Sequence, residues 1–277
     1  MKFGLSMTIL FREFNELWQK VERVDKVYLN LVDTLSKFSV KHEFKFVEID
    51  SFGPFNSEVL NMIKDDIKER LKDFDEIVFH LPSWEINISA YEKAVREKSI
   101  EETKKNVKIA KYIGAKKLVL HPGSFGSSPY FYGLFPEVVR KICKDSVNEL
   151  ISFSKKLGLE VCLENLPFGA PFFRKPDEFD YFIKKGVFLT LDTAHAITAG
   201  IDPVVFIDRF QKKIKHVHLV DGFKGREDYH YAIGSGELNY TRFLNKLIDI
   251  GYEEIIILEL MTRDDVIKSM NLLKDYL

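Results

Sequence analysis

Short apolar runs rich in Val, Ile, Leu and Phe recur along the whole chain, with stretches of helical periodicity between them. The runs are KFGLSMTIL from Lys2, FKFVEI from Phe44, EIVFHL from Glu76, KLVLH from Lys117, LEVCLEN from Leu159, GVFLTLD from Gly186, IKHVHLVD from Ile214 and EIIILEL from Glu254. Each is bounded by polar residues or Gly. Near-continuous apolar runs suit strands buried on both faces, as in a parallel sheet. The intervening amphipathic stretches include Ser57–Lys72, where Val59, Leu60, Ile63, Ile67 and Leu71 fall at helical spacing. Others are Ser99–Ile113, Val138–Leu157 and Asp264–Leu277, with Gly158 placed to cap the third. Phe14–Phe38 is longer than one ordinary helix and reads as two helices or a helix with an insertion. Eight runs in 277 residues give roughly one repeat per 35 residues, the size of a βαβ unit. No linker and no second compositional regime interrupts them. The chain is therefore expected to form an α/β fold, a single (βα)8 TIM barrel spanning residues 1–277.

Composition removes other classes. With 45% hydrophobic residues the chain is too apolar for disorder. Lys+Arg 41 against Asp+Glu 42 leaves a net charge of -1, so a wholesale basic surface for nucleic acid is absent. Cys143 and Cys162 have no CxxC spacing and fit free thiols in a reducing compartment. No apolar run reaches the ~18 residues needed to span a bilayer, and the N-terminus reads as a strand. A cytoplasmic protein with no membrane partner is the expectation.

In a barrel of this kind, chemistry sits at the C-terminal ends of the strands. Strand 3 ends in His80, strand 4 in His121, strand 5 in Glu164 and strand 6 in Asp192, with His195 three residues on. Strand 7 carries His218, followed in its loop by Asp228 and His230, and strand 8 ends in Glu259. Four carboxylates aimed at one mouth would repel, and some would be forced to protonate. Divalent cations remove that conflict, and mixed His and carboxylate donors suit zinc or manganese better than magnesium or calcium. Taken singly, each residue has a bland alternative. Glu164 could be capped by backbone amides, Asp192-Thr193 could be a helix N-cap, and Asp228 and His230 could face water. Their joint placement on six successive strand ends favours a shared metal site. Gly234-Ser235-Gly236 reads as an ordinary turn, with phosphate binding through backbone amides as the weaker alternative.

The motifs FHLP at Phe79–Pro82, HPGS at His121–Ser124, LEN at Leu163–Asn165, LDTAHA at Leu191–Ala196, HVHLVD at His216–Asp221, DYHYAIGSG at Asp228–Gly236 and LEL at Leu258–Leu260 occur in family order. Together they resemble the xylose-isomerase-like TIM-barrel superfamily, which includes sugar and sugar-phosphate isomerases and epimerases and the endonuclease IV (AP endonuclease family 2) enzymes. In the epimerase branch the resemblance implies one divalent metal held by Glu164, Asp192, His218 and Glu259. The two glutamates then move protons on opposite faces of the substrate, and His195 and Lys224 bind its oxygens. In the endonuclease IV branch it implies up to three zinc ions held by His80, His121, Glu164, Asp192, His195, His218, Asp228, His230 and Glu259.

The chain departs from the endonuclease pattern. It has HLPSWEIN where endonuclease IV has a shorter HAPYLIN-like segment, and HLVD in place of HLND. The loop from Ile49 to Ser57 contains no Lys or Arg, although phosphate backbones are held mainly by such residues. Trp84 could wedge into a base stack, face a sugar or join the core. The leading expectation is thus a metal-dependent sugar or sugar-phosphate isomerase or epimerase acting through an enediolate, with zinc or manganese as cofactor and a small-molecule sugar as partner. The alternative is a zinc-dependent AP endonuclease acting on DNA, and a third is a catalytically idle metal- or sugar-binding barrel. Lys224 could equally be a solvated surface lysine. Phe125, Tyr130, Phe131, Tyr132, Phe168, Phe172 and Phe173 could roof the pocket, but packing between loops is favoured, and a homodimer stays open.

Overall fold

Eight parallel strands close into a barrel in the order β1 to β8 in a computed structural model, which describes residues 1–18, 23–123 and 134–277. They are β1 Lys2–Ser6, β2 Phe46–Asp50, β3 Glu76–His80, β4 Lys117–Leu120, β5 Glu160–Glu164, β6 Phe188–Asp192, β7 Ile214–His218 and β8 Ile255–Leu258. Each lies within one of the expected apolar runs except β2, which extends one residue past its run to Asp50. Pairing of β1 with β8 shuts the ring. Closure suits these sequences because every strand then buries both faces: one against the helices, the other inside the barrel.

The helices follow their local signals. Phe11–Trp18 and Val24–Lys41 are two separate helices, so the two-helix reading of the long Phe14–Phe38 stretch holds. Asn56 caps Ser57–Leu71 by accepting from the amides of Glu58 and Val59. The helix expected over Ser99–Ile113 starts earlier, at Lys93, because the Glu92 side chain caps it at Ala94 N. It stops at Gly114, in the left-handed conformation with φ 97. Gly158, φ 72, follows the helix Pro136–Lys156 in the same way. The last helix, Arg263–Leu272, is shorter than the expected Asp264–Leu277. Among the described residues, no helix is long and apolar enough to cross a membrane.

Strand side chains alternate, so every second residue points into the barrel. Val78, Val119, Ile255 and Ile257 form a small apolar cluster of their own, distinct from the large helix–sheet core, with Phe46 packed against it. Gly4 makes room beside it, since a Cβ there would lie 2.5 Å from Phe46 O and 2.7 Å from Ile257 Cδ1. At the N-terminal end, buried Lys117 closes the barrel with ion pairs to Glu76 at 3.1 Å and Glu254 at 2.9 Å. Two residues further along the same inward series, the side chains are all histidine or carboxylate. Val78 leads to His80, Val119 to His121, Thr190 to Asp192, His216 to His218 and Ile257 to Glu259. The period of the strands alone therefore gathers these donors at one mouth.

Candidate metal centre

Among the described residues, five groups of candidate donors have ligand atoms within 4.8 Å of one another; Glu48–His216–His218 and Glu48–Asp50–Glu259 reach into the barrel interior, and the other three meet at the C-terminal mouth. The first is His80, His121 and Glu164. The second is Glu164, Asp192, His218 and Glu259. The third is His195, Asp228 and His230. Glu164 joins the first two by pointing one oxygen at each. Its Oε2 lies 2.8 Å from His121 Nε2 and 3.3 Å from His80 Nε2, while its Oε1 lies 2.8 Å from His218 Nδ1. His218 Nδ1 is also 2.9 Å from Glu259 Oε2 and 3.6 Å from Asp192 Oδ2. In the third group, Asp228 Oδ2 sits 2.9 Å from His195 Nε2 and 3.0 Å from His230 Nε2. All nine residues expected as ligands from the sequence converge here.

The rings are oriented from behind. His80 Nδ1 lies 2.9 Å from the Leu81 carbonyl, His195 Nδ1 2.7 Å from that of Asn165, and His230 Nδ1 2.7 Å from that of Glu259. A carbonyl only accepts, so each ring donates Nδ1–H outward and turns Nε2 to the centre. Asp192 splits its duties. Its Oδ1 accepts from His195 N at 2.6 Å and caps the short helix Thr193–Thr198, so the N-cap reading is correct as well. Its Oδ2 is buried and accepts no hydrogen bond, and the same is true of Glu164 Oε2 and Asp228 Oδ1. Buried carboxylate oxygens without a donor are costly, and two of these face imidazole nitrogens, Glu164 Oε2 toward His121 and His80 and Asp192 Oδ2 toward His218. That set of orphaned oxygens and imidazoles fits divalent cations of the zinc or manganese type.

The electrostatics agree. Burial opposes the charge on Glu164, yet His218 and His121 outweigh it and hold the carboxyl well below its usual range. Burial likewise opposes charge on His80 and His195. Glu164 nevertheless keeps His80 up at about 9, and Asp192, Asp228 and Glu164 keep His195 up at about 10. These histidines carry protons at neutral pH until a cation displaces them. Cation uptake at pH 7 is therefore expected to release protons into a lightly buffered indicator solution. The apparent affinity should rise from pH 6 to pH 9, and uptake without proton release would contradict the assignment of these imidazoles as ligands.

A cavity of about 630 Å³ opens over the donors. Phe11, Phe52 and Trp84 line one side, Trp84 lying edge-on to Phe11 at 5.4 Å and remaining 57% exposed at the rim. Lys224 does not line this cavity. The amide of Gly225 bonds the Thr198 carbonyl, and this turns the loop so that the Lys224 stem packs over Gly200 in a separate pocket with Asp202 and Arg242. The turn at Gly234-Ser235-Gly236 is structural. The Asp221 carboxylate accepts from the amides of Gly222, Gly234, Gly236 and Leu238 and leaves the two glycine amides unavailable to phosphate. Phe172 and Phe173 are buried in the core and Phe168 is exposed, whereas Phe125, Tyr130, Phe131 and Tyr132 lie outside the described residues. Cys143 and Cys162 are free and buried, and burial pushes the Cys143 thiol up to about 12.

Sequence reasoning missed Glu48 and Asp50. Both are buried at the barrel interior, and Asp50 lines the cavity. Their signal was two carboxylates at alternate positions in a strand otherwise read as apolar.

A closed parallel barrel with clustered histidine and carboxylate donors at the C-terminal strand ends defines a class of barrel proteins with a mouth-sited centre able to hold cations. The chain belongs to the xylose isomerase-like TIM barrel family, whose profile matches residues 37–276. Its fold superposes on the crystal structure of a D-tagatose 3-epimerase-like protein with TM-score 0.79 and 25% identity, covering 100% of this chain and 97% of that one. It is 28% identical to a probable endonuclease 4 of Halothermothrix orenii, over 80% of this chain and 81% of that protein. Fructoselysine 3-epimerase of Shigella flexneri is 22% identical over 64% of this chain and 63% of its own length.

Proposed function

We propose that this protein is a metal-dependent isomerase or epimerase of a sugar or sugar phosphate, with Glu164 and Glu259 as the proton-transferring pair. One observation carries the reading: carboxylates from β5 and from the end of β8 meet at the same nitrogen, His218 Nδ1, at 2.8 and 2.9 Å, and both line the cavity. A divalent cation held by Glu164, Asp192, His218 and Glu259 would supply Lewis acidity toward neighbouring carbonyl and hydroxyl oxygens of the substrate. The chain's own groups do the rest. Burial would raise Glu259, but His218 and His230 hold it below its usual range, so both glutamates are ionised and able to accept a proton. One takes the proton beside the carbonyl, becoming a carboxylic acid and leaving an enediolate, and the other, having picked up a proton from solvent, delivers it to the opposite face. His195 and Asp228 border the cavity and orient hydroxyl groups, and the Phe11–Phe52–Trp84 wall excludes water from that side.

Phosphodiester hydrolysis at abasic sites is the second reading. The observation favouring it is the completeness of all three donor groups around a shared Glu164. Against it, no described residue lining the cavity is Lys or Arg, and residues 124–133 contain neither. Zinc or manganese serves either reaction. The discriminating experiment combines elemental analysis of the purified protein, proton-exchange NMR with a ketohexose panel in deuterium oxide, and incubation with an abasic duplex. The expected result is deuterium incorporation into a ketohexose or its phosphate. Incision of the duplex that is lost in Glu259→Gln, with no exchange into any sugar, would transfer the site to the second reading.

A further inference from the structure

We propose that Glu48 is a positioning residue for the cation centre: its buried carboxylate takes the Nε2 proton of His218 and thereby aims Nδ1 at Glu164, Asp192 and Glu259. The proposal rests on the reading that this four-residue group holds a cation. Glu48 lies on β2, and its Oε2 is 3.2 Å from His218 Nε2 and 2.8 Å from His216 Nε2, while Oε1 is 3.1 Å from the same His218 nitrogen.

His218 is the exception among the oriented rings of the mouth. His80, His195 and His230 hand Nδ1–H to a backbone carbonyl and present Nε2. His218 presents Nδ1 instead, so its outward proton is on Nε2, directed across the barrel interior. Strand carbonyls there are committed to the parallel ladder between β6, β7 and β8, and the acceptor has to be a side chain. Glu48 supplies it. His216, two residues back on the same inward face of β7, binds the same carboxylate oxygen and fixes it from below. With Nδ1 given to the centre, the remaining ring proton sits on Nε2 and Glu48 accepts it, as carboxylates behind metal-bound histidines do.

Packing alone does not explain this residue. Glu48, His216 and His218 are all fully buried, next to a layer filled by Val78, Val119, Ile255 and Ile257. A desolvated carboxylate is a poor choice for stability where an apolar side chain of similar volume would pack. A rule of the fold is broken here at the point where an imidazole must be aimed.

The test uses the full chain loaded with cobalt(II) and measures cation affinity by chelator competition, the visible spectrum of the bound ion and the melting of the cation-free protein. Glu48→Leu is expected to weaken cation binding by roughly 10–100-fold and to alter the cobalt spectrum, and the cation-free variant is expected to melt lower than wild type because His216 and His218 lose their buried acceptor. Glu48→Gln, whose amide oxygen still accepts from Nε2–H, should recover most of the affinity. Should Glu48→Leu fail to fold, Glu48→Gln and Glu48→Asp carry the same comparison, with Asp expected to be weaker than Gln because its carboxylate is withdrawn from the ring. Unchanged affinity and spectrum in a folded variant would overturn the proposal. So would loss of one whole equivalent of cation with the others unaffected, which would make Glu48 a ligand in its own right. Wild-type protein that binds cobalt at this centre but exchanges no sugar proton leaves the positioning role intact and removes only the proposed reaction.

Discussion

Glu164→Gln is expected to lower substrate proton exchange by roughly 10³-fold or more, at the upper end of what a positioned acid or base contributes. Gln keeps the shape of the side chain, which is 1% exposed, but can neither take up a proton nor carry a charge. The effect should exceed that of Glu259→Gln, because the two oxygens of Glu164 face His121 and His218 separately, whereas Glu259 reaches His218 through Oε2 alone. Deuterium incorporation followed by NMR measures the chemical loss, and elemental analysis of the same variants measures the loss of cations. Glu164→Gln should lose occupancy in the groups of both His121 and His218, and Glu259→Gln only in the latter. Undiminished exchange in either variant would remove that glutamate from the proposed pair.

Removing the cations is expected to abolish turnover and to lower the melting temperature by roughly 10 °C. The estimate follows from linkage: a ligand held at about a thousand times its dissociation constant stabilises by about 4 kcal/mol, and about 1 kcal/mol moves a chain of this size by about 2–4 °C. Without cations, buried carboxylates at the mouth lean on protonated histidines. The His80 and His195 pKa values, about 9 and about 10, lie above the ordinary histidine value of about 6.5. Their contribution to the cation-free protein is therefore complete below about pH 6.5 and is lost as pH rises through 9 and 10. Cation binding strengthens over the same interval as those protons leave. The melting difference between loaded and stripped protein should thus widen from pH 6 to pH 9. A difference that is constant or shrinks would mean that these imidazoles are not ligands.

The barrel was legible because its strands are short, apolar and evenly spaced, and because parallel strands need crossovers of the length seen. Donor residues were legible for a related reason: His80, Glu164, Asp192 and His218 each terminate an inward-facing series, so their position in the sequence is also their position in space. What escaped notice had weaker local signals. The helices Asp180–Lys184, Thr193–Thr198, Val204–Phe210 and Tyr240–Asp249 are short, and a few turns give periodicity little room to appear. Glu48 hid inside an apolar run, where its meaning depends on a histidine 170 positions away in sequence. Lys224 was misplaced for the opposite reason. The family resemblance implied a role in substrate binding, with a solvated lysine as the equal alternative, but loop direction is set by contacts among Gly225, Thr198 and Gly200 that a motif does not encode.

Asp192 gives one oxygen to the start of a helix and leaves the other facing the ligands, and that helix carries His195. Secondary structure and ligand geometry are consequently written in the same carboxylate. A chain in which this turn unwinds loses an anchor from two neighbouring donor groups at once, so local melting of a single turn is expected to weaken the hold on any cation bound there.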